Sequence, residues 1–253
     1  MPRLGIAVLL LLVSATCVSA HDPAILDPLR ATPGIRLELV EVPTAAASAS
    51  TPRRYRLVAA GVPAGLTFGV WTRDFTHAFH EVASGFRAND AGKLVSVQDG
   101  AGRPRPLDEI VLDPGPYVRG AIWEVALVSE DRAVTAFTRV IPRPIVAHDG
   151  GCVVTLELVS HRGQRFLASG KGFAPGDDVV IESRYSGRVH QKQVRVSADG
   201  VLPPDVLIHV APGADRGARY SVKGRSCQVT IEYEWGEPAF QRGLSLTSSN
   251  GAE

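Results

Sequence analysis

Apolar and polar positions alternate along several short stretches of the chain. Between Cys152 and Val159, for example, the apolar residues Val154, Leu156 and Leu158 alternate with Val153, Thr155 and Glu157. A period of two places successive side chains on opposite faces of an extended strand. The 25 glycines and 18 prolines fall largely between such stretches, where they favour turns. The pattern predicts an all-β protein.

The first residues predict a signal peptide at 1–20. Arg3 supplies a positive charge, an apolar run extends from Leu4 to Val13, and small residues precede a cleavage point after Ala20. The apolar run is about ten residues, whereas a helix needs about 20 to cross a bilayer. A retained membrane anchor is the alternative. We expect a mature chain that begins at His21, is periplasmic or secreted, and has no transmembrane segment after cleavage.

An internal repeat recurs at an offset of about 100 residues, which is the size of one immunoglobulin-like sandwich. Asp113-Pro114-Gly115 matches Ala211-Pro212-Gly213, and Arg119-Gly120-Ala121 matches Arg216-Gly217-Ala218. Three further motifs recur in the same order. We therefore predict two tandem immunoglobulin-like β-sandwich domains related by internal duplication. The predicted segments are an extended N-terminal segment at 21–33, domain 1 at 34–145, domain 2 at 149–238 and a disordered tail at 239–253.

The turn Gly172-Phe173-Ala174-Pro175-Gly176, followed by a strand, resembles a feature of bacterial immunoglobulin-like modules. The resemblance covers about half of the second repeat. It implies a sandwich that presents surfaces and loops, and it implies no chemistry of its own.

Cysteine usage predicts one disulfide. Cys17 leaves with the signal peptide, so Cys152 and Cys227 remain in the mature chain. Two cysteines in an oxidising compartment favour a bond between them. A metal site built on two thiolates is the alternative, but no histidine lies at zinc-ligand spacing from either cysteine.

The charge balance and the absence of two catalytic motifs argue against several classes of function. The chain has 27 basic and 26 acidic residues, so no electrostatic argument favours a nucleic-acid partner. It contains no Gly-x-Ser-x-Gly elbow for a nucleophile, and Gly100-Ala101-Gly102 precedes Arg103-Pro104, which cannot open a phosphate-binding helix. The interpretation is a non-catalytic protein with an interaction or structural role at the cell envelope. Its partner is an unidentified protein or envelope component, and it needs no cofactor.

Metal binding is the competing hypothesis, and it has two possible sites. In a short helix, His77, His80 and Glu81 would share one face with the spacing of copper or zinc ligands. In a strand, the two histidines would point to opposite sides and the cluster would dissolve. A solvated connecting segment is the simpler interpretation.

The second possible site is the mature N-terminus. The α-amine and ring of His21 could chelate copper together, which resembles the histidine brace of periplasmic copper carriers and lytic polysaccharide monooxygenases. Only His21 matches that brace.

The three tryptophans give a further alternative. Trp71, Trp123 and Trp235 could be platforms for carbohydrate, but each lies in or beside an apolar strand. Their positions favour a role in the core of the sandwiches.

Overall fold

The computed structural model of the chain describes residues 26–43, 53–75, 77–96, 104–115, 117–210 and 216–237. The predicted signal peptide at 1–20, His21 and the predicted tail at 239–253 lie outside these residues. Within the described part of the chain, no helix has the length and apolar character needed to cross a membrane.

The elements of the described residues are sixteen β-strands and two 3₁₀ helices. The strands of the first half are β1 (Arg36–Val42), β2 (Arg54–Ala60), β3 (Thr67–Arg73), β4 (His80–Ala88), β5 (Leu94–Ser96), β6 (Val111–Leu112), β7 (Trp123–Ser129) and β8 (Thr135–Val140). Those of the second half are β9 (Ile145–Asp149), β10 (Cys152–Leu158), β11 (Arg165–Lys171), β12 (Asp178–Tyr185), β13 (Arg188–Arg195), β14 (Asp205–Ile208), β15 (Gly217–Lys223) and β16 (Gln228–Glu234). The 3₁₀ helices are Pro28–Arg30 and Leu107–Glu109. The all-β prediction is confirmed.

The strands form four antiparallel sheets. Sheet I has the order β1-β2-β6 and sheet II has the order β5-β4-β3-β7-β8. Sheet III has the order β14-β11-β10-β9 and sheet IV has the order β13-β12-β15-β16. This arrangement is consistent with β-sandwiches, in which two sheets face each other across a core.

Seven strands of the first half have the same order in their sheets as seven strands of the second half. In sheet I, β2 lies between β1 and β6, and in sheet III, β11 lies between β10 and β14. In the same way, β4-β3-β7-β8 of sheet II corresponds to β13-β12-β15-β16 of sheet IV. The two halves differ in β5, which extends sheet II, and in β9, which extends sheet III.

A glycine directly after β2 and another directly after β11 each permit a close approach of two backbone segments. Gly61 has φ +73° and Gly172 has φ +83°, both in the left-handed region that glycine favours. A Cβ at Gly61 would lie 2.4 Å from the carbonyl oxygen of Gly34. A Cβ at Gly172 would lie 2.0 Å from that of Gly151. Both turns therefore require glycine for the same steric reason.

The halves meet at a loop of the first half that contacts β10. The amide of Gly120 donates to the carbonyl oxygen of Arg143 at 2.7 Å, and its own carbonyl accepts from the amide of Leu158 at 2.8 Å. A Cβ on Gly120 would lie 2.8 Å from Ile145 Cδ1. Buried side chains from both halves form one contiguous cluster.

The segment around the expected domain boundary belongs to the second half. Strand β9 (Ile145–Asp149) pairs with β10 through a turn at Gly150 and Gly151. The sequence placed Ile145 at the end of the first domain and began the second at Asp149. Because β9 pairs with β10 in an antiparallel hairpin closed by this short turn, we group β9 with the strands of the second half.

The N-terminal segment differs from the extended conformation expected for 21–33. Within its described part, Pro28–Arg30 form a 3₁₀ helix that Asp27 caps by accepting from the amide of Leu29 at 3.0 Å. Thr32 then exchanges hydrogen bonds with Thr135 of β8, since its amide donates to the Thr135 carbonyl at 2.7 Å. The segment is therefore docked on the first half.

Candidate functional site

The helix that would gather His77, His80 and Glu81 does not form. His77 lies in a bend, and its Nδ1 is 2.6 Å from Oδ2 of Asp74. His80 and Glu81 are the first residues of β4, so their side chains leave opposite faces of sheet II. The Nε2 atom of His80 lies 3.3 Å from Oγ1 of Thr72.

The predicted cluster of His77, His80 and Glu81 does not form because these residues lie in a bend and a strand. Successive side chains of a strand point to opposite faces, whereas a helix would bring these residues to one face. Within the described residues, no group of three or more His, Cys, Asp and Glu side chains is arranged to hold a metal ion. The copper hypothesis at His21 concerns a residue outside the described ranges and stays a prediction.

The predicted disulfide between Cys152 and Cys227 is present, with Cα atoms 6.4 Å apart. Cys152 begins β10 of sheet III and Cys227 directly precedes β16 of sheet IV. The bond therefore joins the two sheets of the second half. Its sequence separation is 75 residues.

Two of the three tryptophans lie in the core. Trp235 is fully buried and Trp123 is 4% exposed. Trp71 is half-buried, with the guanidinium of Arg132 5.5 Å from its ring centroid. The core interpretation holds for Trp123 and Trp235.

A cavity of about 700 Å³ lies at the end of the second half that faces the first half. We call it the junction cavity. Its walls are the β12–β13 turn at 184–187, the start of β15, the end of β16, and Val118 and Arg119 of the first half. Cavities of about 300–1,000 Å³ are typical of small-ligand sites, and such sites are common where two domains meet.

Aromatic side chains lie at the base of the junction cavity. They are Phe166, Tyr185, Tyr233 and Trp235. The guanidinium of Arg216 lies 4.7 Å from the Trp235 ring centroid, within cation–π distance. The indole Nε1 of Trp235 is buried and has no hydrogen-bond partner. An unpartnered buried donor of this kind costs free energy.

Arginines surround the mouth of the cavity. Arg184 pairs with Glu182 at 2.6 Å, and Arg219 pairs with Glu232 at 3.2 Å. Arg119 is exposed and makes no ion pair within the described part of the chain. Among the described residues that line the cavity, the arginines Arg184 and Arg219 are therefore paired and Arg119 is not.

A buried histidine occupies the centre of the aromatic cluster. His209 is 1% exposed, and its ring centroid lies 4.5 Å from that of Tyr185 and 5.3 Å from that of Trp235. Its Nε2 lies 2.7 Å from the hydroxyl of Tyr233, while Nδ1 has no partner. Burial lowers the pKa of His209 from 6.5 to about 4, so the imidazole is neutral at physiological pH.

A groove of about 310 Å³ runs beside this cluster between β13 and β14, at the edges of sheets IV and III. We call it the edge groove. Tyr185 lines both the edge groove and the junction cavity. Lys192 of β13 forms an ion pair with Asp205 of β14 across the groove at 2.6 Å. His190 stacks on Tyr185 with centroids 5.6 Å apart.

Sequence reasoning did not find His209 or Tyr185. The one available signal was the run Val206-Leu207-Ile208-His209-Val210, in which a histidine takes an apolar position of a strand. Alternation with Leu207 places His209 on the buried face. The contacts with Tyr233 and Trp235 depend on how two distant strands face each other, which no local pattern encodes.

The chain matches no protein-family model, and no curated protein is significantly similar to it.

Proposed function

We propose that this chain is a periplasmic or secreted binding protein, built from two immunoglobulin-like β-sandwiches that arose by duplication. The shared strand order of the two halves supports the duplication. So do Gly61 and Gly172, which permit the same close approach at corresponding turns. A disulfide that joins two sheets is typical of proteins that leave the reducing cytoplasm.

The binding function is assigned to the second half. The single observation that carries it is Tyr185, the residue at which the junction cavity and the edge groove meet. An aromatic side chain beside two concave surfaces is a common anchor for a partner, because it buries a large apolar area with little loss of conformational entropy.

The role is binding rather than catalysis. The neutral imidazole of His209 donates to or accepts from Tyr233 alone. Burial also raises the pKa of Tyr233 above its ordinary value. A general acid or base works best with a pKa near the working pH, and this pair is shifted away from it in both directions. The pair therefore favours a structural role beneath the binding surface.

The proposal can be tested by site-specific photo-crosslinking in intact cells. A benzophenone amino acid replaces Tyr185 in one variant and Val40, an exposed residue of β1 in the first half, in a control. We expect the variant at Tyr185 to cross-link to one envelope component that the Val40 variant does not capture. Equal cross-linking at both positions, or none at Tyr185, would refute the assignment.

A further inference from the structure

Strand β14 has an open edge whose backbone groups can take another strand. The amide of His209 donates to the carbonyl of Gln164 at 2.9 Å, and Leu207 lies opposite Phe166 of β11. Backbone groups of successive residues in a strand point to alternate sides. Val206 and Ile208 therefore direct their amide and carbonyl groups away from β11, and Val210 follows just after the end of the strand.

The same three residues expose large apolar side chains. Val206 is 58% exposed, Ile208 is 49% exposed and Val210 is 64% exposed. Exposed β-branched residues on an open edge are a template for pairing with another strand. Proteins usually blunt such an edge with charge, but these three positions carry none.

In the first half, the position that corresponds to the edge groove is occupied by strand β5. There, β5 pairs with β4, and the amide of Ser96 in β5 donates to the carbonyl of Arg105 at 2.8 Å. Strand β5 thus lies between sheet II and the segment that leads into β6. In the second half, β13 and β14 correspond to β4 and β6, and no strand of the described residues lies between them. The edge groove occupies that position.

Charge on the groove indicates the character of the added strand. Strand β13 carries Arg188, His190, Lys192 and Arg195 and no acidic residue. Lys192 pairs with Asp205, and Arg195 lies 3.9 Å from Asp178, so among the described residues Arg188 is the cation of this strand without an ion pair. Arg188, His190 and Lys192 share one face because they are two residues apart. The nearby carboxylate of Asp205 is already engaged by Lys192 at 2.6 Å and by the hydroxyl of Tyr220 at 3.2 Å. Arg188 would therefore attract an acidic side chain to this edge.

We propose that the edge groove binds an extended acidic segment of a partner protein, which adds to sheet III as a strand beside β14. This inference rests on the proposed binding function of the second half and names the partner's chemistry. Backbone hydrogen bonds to Val206, Ile208 and Val210 would supply affinity. The inward side chains of the segment would lie against Tyr185 and His209, and its carboxylates would face β13.

A second copy of this chain is the less favoured occupant. Pairing two β14 strands would bring two basic β13 strands towards each other, which costs electrostatic free energy. It would also add no carboxylate, since Asp205 is engaged within its own chain.

The probe is a synthetic peptide obtained by selecting a phage-displayed library of random peptides, about nine residues long, against the protein. We expect the selected peptide to be acidic and to have apolar residues at every second position. Amide hydrogen exchange measured by NMR should slow at Val206, Ile208 and Val210 when it binds. Leu207 and His209, whose amides face β11, should be protected with or without it.

Matched variants separate strand addition from apolar contact. Ile208→Lys should lower the affinity for the peptide by about tenfold or more. Val111→Lys, at an exposed position of the corresponding strand β6, should have little effect on that affinity. N-methylation of the peptide amides that face β14 should abolish binding, and N-methylation of the alternate amides should not.

Three results would overturn the inference. They are exchange at Val206, Ile208 and Val210 that is unchanged by the peptide, equal effects of the two N-methylated peptides, and a library that yields no binder tighter than millimolar. A dimer in sedimentation equilibrium that Ile208→Lys dissociates would instead identify a second copy as the occupant. Cross-linking at Tyr185 would survive each of these results if the proposed function is right and only the mode of binding is wrong.

Discussion

The Nε2 atom of His209 lies 2.7 Å from the hydroxyl of Tyr233, and both residues are buried between sheets III and IV. This hydrogen bond joins a residue just after β14 to one in β16. It is the hydrogen bond of the His209 ring, because the other ring nitrogen, Nδ1, is buried and has no partner. The His209 ring also contacts Tyr185, so this pair lies beneath the proposed binding surface.

Protonation of His209 should make stability depend on pH. Its pKa is lowered from 6.5 to about 4 in the fold, so between these values the unfolded chain binds a proton that the folded chain does not. The free energy of unfolding should be highest above pH 6.5 and should fall as the pH is lowered towards 4. The loss reaches at most about 3 kcal/mol. Urea unfolding at a series of pH values measures it.

A His209→Gln variant is the control for this titration. Glutamine keeps a hydrogen-bonding group near Tyr233 but does not titrate. Stability of the variant should change much less over the same pH range. An equal slope in the two proteins would show that other groups cause the dependence.

Removing the Tyr233 hydroxyl should destabilise the protein. Tyr233→Phe leaves Nε2 of His209 buried without a partner, which costs about 1–3 kcal/mol. Tyr55→Phe is the matched control, because the Tyr55 hydroxyl is also buried and has no hydrogen-bond partner. That change should be neutral or slightly stabilising. Equal losses in the two variants would contradict the assigned hydrogen bond.

Breaking the disulfide should destabilise the second half. The bond closes a long loop, and the chain-entropy model assigns it about 4 kcal/mol. We expect Cys152→Ser/Cys227→Ser to unfold at a lower urea concentration than the wild type, and we expect reductant to have no effect on the variant. A wild type that is equally stable with and without reductant would contradict this.

The two corresponding glycines should respond alike to alanine. Gly61→Ala and Gly172→Ala each place a Cβ within 2.4 Å of a carbonyl oxygen, in addition to the cost of positive φ. Gly65 also has positive φ, +82°, but a Cβ there meets nothing within 4 Å. Gly65→Ala should therefore cost only about 1–2 kcal/mol, and the other two clearly more. Equal losses at all three positions in thermal unfolding would mean that the close approaches do not matter.

The alternation of apolar residues was enough to predict the all-β class and strand β10. Val154, Leu156 and Leu158 are buried on β10 as the sequence predicted, and Cys152 bonds to Cys227. These features follow from local period and from the count of cysteines.

The candidate site could not be predicted in the same way. His80 and Glu81 fit either a helical face or a strand, and only pairing of β4 with β3 decides between the two. His209 and Tyr233 are 24 residues apart, and their contact depends on two sheets facing each other. Local pattern identifies neither partner of such a contact.

Hydrogen exchange across the whole chain, in the presence of the cell's own envelope extract, tests the binding assignment most directly. We expect protection to increase in the second half at 184–192 and 205–210, the segments that line the junction cavity and the edge groove. The first half, including its exposed residues Val40 and Val111, should be unchanged. Protection that increases only in the first half, or nowhere, would contradict the account.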